Sequence, residues 1–74
     1  MTEWNVTFKS NEDFTDEQKD ILSKEGLFVI KNVTPSVIFI RGSPQIILQV
    51  YEKYSWINAM DVSPYKGMIY NYEK

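Results

Sequence analysis

Hydrophobic and polar positions alternate strictly at the start of the chain. From Trp4 to Lys9, Trp4, Val6 and Phe8 fall on one side and Asn5, Thr7 and Lys9 on the other, the period-two pattern of a half-buried strand. Ser10 to Asp13 is a polar loop. Thr15 then stands three residues before Gln18, a spacing at which hydroxyl and amide each satisfy the other's backbone N–H, and Asp16 and Glu17 sit where the positive end of a helix favours carboxylates. The pattern predicts a helix from about Asp16 to Glu25. Ile21 and Leu22 are its core contacts, Phe14 packs beneath its first turn, and Gly26 takes the left-handed position that ends it.

Leu27 to Val33, rich in β-branched and aromatic residues, reads as a second strand, and Thr34-Pro35-Ser36 as a turn. Val37 to Arg41 reads as a third strand in which Val37 and Phe39 oppose Ile38 and Ile40. Both of its faces are apolar, which marks a central strand. Gly42-Ser43-Pro44 is a helix start, with Ser43 as cap and Pro44 at the first helical position. The helix runs to about Tyr54 and carries Ile46, Ile47, Val50, Tyr51 and Tyr54 at helical spacing, with Leu48 off that stripe. Trp56 to Val62 is expected as a fourth strand. Turns at Ser63-Pro64 and Lys66-Gly67 separate it from Met68 to Tyr72, which alternates and reads as either a fifth strand or an extended arm.

The order β-α-β-β-α-β is that of the split βαβ unit in ferredoxin-like domains. The expected fold is therefore α+β, with two helices on one face of a four-stranded antiparallel sheet. It forms one domain over residues 1–74, and 63–74 is an aromatic tail. A chain of 74 residues supports one core, because at this size only about 60% of the unfolded surface becomes buried. Eleven aromatic residues enrich that core, and the absence of cysteine leaves packing alone to hold it, without disulfides or a zinc thiolate site.

Composition narrows the function. A chain that is 43% hydrophobic and 24% charged folds rather than staying disordered. Lack of cysteine, and of a basic start followed by an apolar run, leads to the expectation of a soluble, cytoplasmic protein. No segment approaches the roughly 18 apolar residues of a membrane span, so no membrane partner is expected. The net charge of −2, with the basic residues scattered, has the wrong sign for a phosphate-backbone binder, and direct nucleic-acid contact is not expected.

Histidine and cysteine are both absent, which removes the commonest general base, the thiol nucleophile and the usual zinc ligands. No catalytic residue, cofactor or metal is expected. Glu12, Asp13, Asp16 and Glu17 cluster where they stabilise a helix dipole, and they lack the alternating ligands and central glycine of a calcium loop. Gly42 and Ser43 are a weak candidate anion site, without the longer glycine pattern and lysine of a phosphate loop. The strand order also suits an RNA-recognition domain, but Val-Ile-Phe-Ile-Arg-Gly puts the basic residue and glycine after the hydrophobic run instead of before the aromatic.

Binding therefore becomes the expected role. Whichever pair of the third strand faces away from the helices, Val37 with Phe39 or Ile38 with Ile40, leaves an apolar patch for a partner. Tyr65, Met68, Ile69, Tyr70 and Tyr72 give the tail the residue types that interfaces favour. The partner is either another protein or a second copy of the chain.

Three stretches carry a resemblance over nearly the whole chain. They are Trp-Asn-Val-Thr-Phe-Lys, Gln-Lys-Asp-Ile-Leu-Ser-Lys-Glu-Gly, and Tyr-Glu-Lys-Tyr-Ser-Trp-Ile-Asn-Ala-Met-Asp. In this pattern the chain resembles the subtilisin propeptide-like inhibitor family, small proteinase inhibitors with a ferredoxin-like fold. The resemblance implies that the open sheet face, through Val37 and Phe39 or Ile38 and Ile40, rests on a peptidase, and that Met68 to Tyr72 lie in its cleft. The chain is also similar in kind to the small viral proteins with which bacteriophages block host enzymes, defence proteins or nucleotide signals. On that reading it is an inhibitor of a host protein, or a homodimer that traps a small nucleotide between aromatic residues and helix N-termini. A structural or assembly protein is the third alternative.

Overall fold

The computed structural model describes residues 3–65 and 67–74, and of Pro64 and Tyr65 the backbone alone. In chain order its elements are β1 (Trp4–Lys9), α1 (Asp16–Lys24), β2 (Phe28–Thr34), β3 (Val37–Gly42), α2 (Pro44–Lys53), β4 (Ala59–Tyr65) and β5 (Met68–Glu73). The sheet order is β2-β3-β1-β4-β5 with every neighbouring pair antiparallel. Its first four strands follow the ferredoxin-like order, and the tail is a fifth strand paired with β4 rather than a free arm.

Local chemistry accounts for both helices. At α1 the Thr15 hydroxyl accepts from the Gln18 N–H at 3.1 Å while the Gln18 amide oxygen accepts from the Thr15 N–H at 2.9 Å. Gly26, at φ 99°, turns the chain out of the helix, and the Leu27 N–H donates back to the Leu22 carbonyl at 3.1 Å. At α2 the Ser43 hydroxyl accepts from the Ile46 N–H at 3.3 Å, ahead of Pro44, which has no N–H to satisfy.

Two boundaries depart from expectation. The fourth strand starts at Ala59 and not at Trp56, because Ser55 and Trp56 make a turn in which the Trp56 ring lies 5.0 Å from Tyr54 and 6.0 Å from Phe14. The strand then runs through Ser63 and Pro64, where a turn was expected. Proline is tolerated there because the β1 ladder ends at Ser63 and the β5 ladder shifts register between Val62 and Tyr65.

The core lies between the helices and one sheet face. Val6 and Phe8 of β1, Ile38 and Ile40 of β3, and Met60 and Val62 of β4 meet Leu22 of α1 and Ile47, Val50 and Tyr51 of α2. Among the described residues no charged side chain is buried, so apolar burial carries the fold. At the far ends of the helices Glu25 accepts from Lys53 Nζ and from the Tyr54 hydroxyl, each at 3.1 Å, tying α1 to α2.

Replacing the fully buried Phe8 by alanine is expected to cost about 3–5 kcal/mol. A domain of this length holds roughly 4–11 kcal/mol in total, so urea unfolding of Phe8→Ala should begin close to zero denaturant. Thr7→Ala, on the opposite face of the same strand, should leave the curve nearly unmoved. A second expectation concerns acid. The hydrogen bonds from Lys53 and then Tyr54 hold the Glu25 carboxyl below its ordinary value of 4.5. The stability it contributes is therefore full above pH 4.5 and lost as pH falls through the lowered range. Thermal melts of Glu25→Gln should show a shallower decline below pH 4.5 than the parent chain.

Candidate functional site

Directly opposite residues in antiparallel strands share a face, so the registers sort every strand residue. Val6, Phe8, Ile38 and Ile40 pair among themselves on the helix side. The uncovered side receives Asn5, Thr7 and Lys9 from β1, Val37, Phe39 and Arg41 from β3, and Ala59, Asp61 and Ser63 from β4. Of the four candidates on the third strand, Val37 and Phe39 are thus half-buried on the open face. Ile38 and Ile40 are fully buried beneath the helices and make no surface contact, which corrects their candidacy.

β2 completes the face in a way its alternation does not announce. The register shifts between Val29 and Lys31 and again between Asn32 and Thr34 insert Ile30 and Val33 as extra residues. The first shift turns Lys31 to the open face, opposite Phe39, where unbroken alternation would have sent it under the helices. Phe28 stands opposite Arg41 and is 68% exposed. The result is an apolar corner that runs diagonally from Phe28 past Phe39 to Val37, with Arg41 opposite Phe28, Lys31 opposite Phe39 and Thr34 opposite Val37. Arg41 Nε donates to the Asn5 side-chain oxygen at 3.3 Å, which orients the guanidinium over β1. Beyond it the face turns polar, and Lys9 pairs with Asp61 at 2.8 Å. Phe28 was not among the expected contacts. The continuous apolar run from Leu27 was its only signal, and that run does not say which residue an edge strand leaves bare.

The tail does not join this corner. Tyr70 and Tyr72 stand opposite Val62 and Met60, on the helix side of the sheet, and are 44% and 41% exposed. β5 is three strand spacings from β3, about 14 Å. Val37 and Phe39 therefore cannot share one small ligand with Tyr70 and Tyr72. Met68 is exposed at the turn end of β5, and the side chain of Tyr65 lies outside the described residues. Gly42 is buried, and a Cβ there would meet Leu27 Cδ2 at 2.5 Å. With Ser43 engaged as the α2 cap, close packing and capping account for both residues of the candidate anion site.

Chemical features are sparse. Among the described residues no three carboxylates stand close enough to hold a metal ion, and no helix is long and apolar enough to cross a membrane. The Tyr51 hydroxyl is buried without a hydrogen-bond partner, and its pKa is pushed up by that burial and then by Glu73. Over its ring, 4.6 Å from the centroid, lies Lys74 Nζ. The same ammonium donates to the Tyr54 carbonyl at 2.6 Å, at the C-terminal end of α2 where a cation is favoured. Burial lowers the Lys74 pKa, and its N–H donates to the Asn58 carbonyl at 3.0 Å. The last residue thus latches β5 to α2. Lys74→Ala is expected to lower stability by about 1 kcal/mol and to speed hydrogen exchange in β5 while leaving β1 and β3 protected.

Comparison with protein-family models, curated proteins and solved structures gave no match to the chain.

Proposed function

We propose that the domain is a non-catalytic inhibitor that docks on a protein target through the corner of Phe28, Val37 and Phe39. The observation that carries this reading is a phenylalanine 68% exposed, diagonal to Phe39 and with Val37 further along the same strand, on a sheet face that no helix covers. Exposed aromatic and aliphatic groups flanked by an arginine are the residue types in which binding hot spots are rich. The same corner offers no general base, thiol or buried charge for chemistry. A subtilisin-type peptidase is the target that the family resemblance suggests. The tail, hydrogen-bonded along β4 on the far side of the sheet, takes no part in this docking.

Titration of the chain into a subtilisin-type peptidase is expected to abolish peptide hydrolysis at stoichiometric ratio, with the chain recovered intact by mass spectrometry. Phe28→Ala and Phe39→Ala should each weaken inhibition by roughly 30-fold, the loss of about 2 kcal/mol that defines a hot spot. Leu48→Ala, on the helix side, should change nothing. Undisturbed hydrolysis at large excess would remove the peptidase as target. A target captured from lysate that binds the double phenylalanine variant as tightly as the parent would remove the corner as docking surface.

A further inference from the structure

The large hydrophobic side chains that remain exposed gather at the two ends of the sheet. Phe28, Ile30 and Val33 belong to β2, whereas Met68, Ile69, Tyr70 and Tyr72 belong to β5. Leu48, 40% exposed, joins the second group. Lys74 over the Tyr51 ring shows that this flank of α2 faces β5, and Leu48 precedes Tyr51 by three residues on the same flank.

The two edges are built differently. β2 carries two register shifts and Lys31, devices that keep an edge from pairing with another chain. β5 carries neither. Its residues from Tyr70 to Glu73 follow the β4 register without interruption, and its one charge is Glu73, at its end. The bond from the Lys74 N–H to the Asn58 carbonyl fixes which backbone groups point where. Tyr70, Tyr72 and Lys74 turn theirs to β4, so Ile69, Asn71 and Glu73 turn theirs outward, away from the sheet.

We propose that β5 pairs antiparallel with β5 of a second copy, about a two-fold axis at Asn71, joining two five-stranded sheets into one. The register is self-complementary. Asn71 faces Asn71 of the second copy, so the two side-chain amides can hydrogen-bond on the open face, and Ile69 lies opposite Glu73 of the second copy, which keeps the two carboxylates apart. Tyr70 stands opposite Tyr72 of the second copy twice over, in the non-hydrogen-bonded positions where side chains approach closest. Above them Leu48 from each α2 faces the axis. An axis normal to the sheet puts both pairs of helices on one side and both open faces on the other. This inference is independent of the inhibitor reading, since the Phe28 corner sits at the opposite edge.

Light scattering across a concentration series should give twice the 8.7 kDa chain mass. Asn71→Pro removes an outward N–H that the β4 ladder does not use, and it should give a monomer with an unchanged circular-dichroism spectrum. Asn71→Lys sets like charges directly opposite each other and should raise the dimer dissociation constant by at least about tenfold. It keeps the test open if the proline variant fails to fold. The chain has no cysteine, so Asn71→Cys introduces a lone thiol, and mild oxidation should link it to its symmetry mate, whereas Lys31→Cys should stay unlinked. A mass of 8.7 kDa up to millimolar concentration would overturn the proposal. So would a dimer whose dissociation constant is unchanged in folded Asn71→Lys chains, or one in which Lys31→Cys cross-links instead. Peptidase inhibition measured on the same samples separates the two readings, because failed inhibition leaves the mass unaffected.

Discussion

Coverage is the constraint on which the rest of this structure depends. A helix with its side chains is about 10 Å wide, so two lying side by side shield about 20 Å of sheet. Five strands at about 4.8 Å spacing need more than that, and only one face has helices at all. Burial follows the deficit outward. Val6 and Phe8 of β1, Ile38 and Ile40 of β3, and Met60 and Val62 of β4 in the middle are sealed, Val29 of β2 is half-buried, and Tyr70 and Tyr72 of β5 are open. Each sheet edge is left with apolar groups that the two helices do not cover.

The uncovered face is not uniformly apolar, and that shapes what it can meet. β1 runs through its middle with Asn5, Thr7 and Lys9, and the Lys9–Asp61 pair lies against them. This polar stripe sets the apolar area of β2 and β3 apart from the rest of the face, so a partner there meets a corner and not a plane. Arg41, held by Asn5, stands on the boundary between the two halves.

Where one residue's chemistry acts on its near neighbours, the sequence was legible. The Thr15–Gln18 box, the Ser43-Pro44 start, the alternation of β1 and the two-faced β3 all appear as written. So does the split between Ile47, Val50 and Tyr51, which are buried, and Leu48, which is not. What escaped depends on partners distant in the chain. Pro64 reads locally as a turn and is a strand residue only because the β1 ladder has already ended beside it. Trp56 reads as strand and is diverted by aromatic packing on Phe14 and Tyr54. The shifts around Ile30 and Val33 leave no mark in composition, although they decide that Lys31 stands opposite Phe39. Part of the expected site failed for the same reason, since no local pattern says that Tyr70 and Phe39 end on opposite faces.

The position of β1 also bears on how the chain is made. It is the first strand to be synthesised, yet it lies in the interior of the sheet, and its two neighbours are the segments Val37–Gly42 and Ala59–Ser63. At ribosomal rates of about 5–20 residues per second, roughly 3–10 s pass between completion of Lys9 and arrival of its second partner. Until Gly42 is made Trp4, Val6 and Phe8 have no neighbouring strand, and until Ser63 is made they have a neighbour on one side alone. Closure of the core around β1 therefore waits for the segment that ends at Ser63.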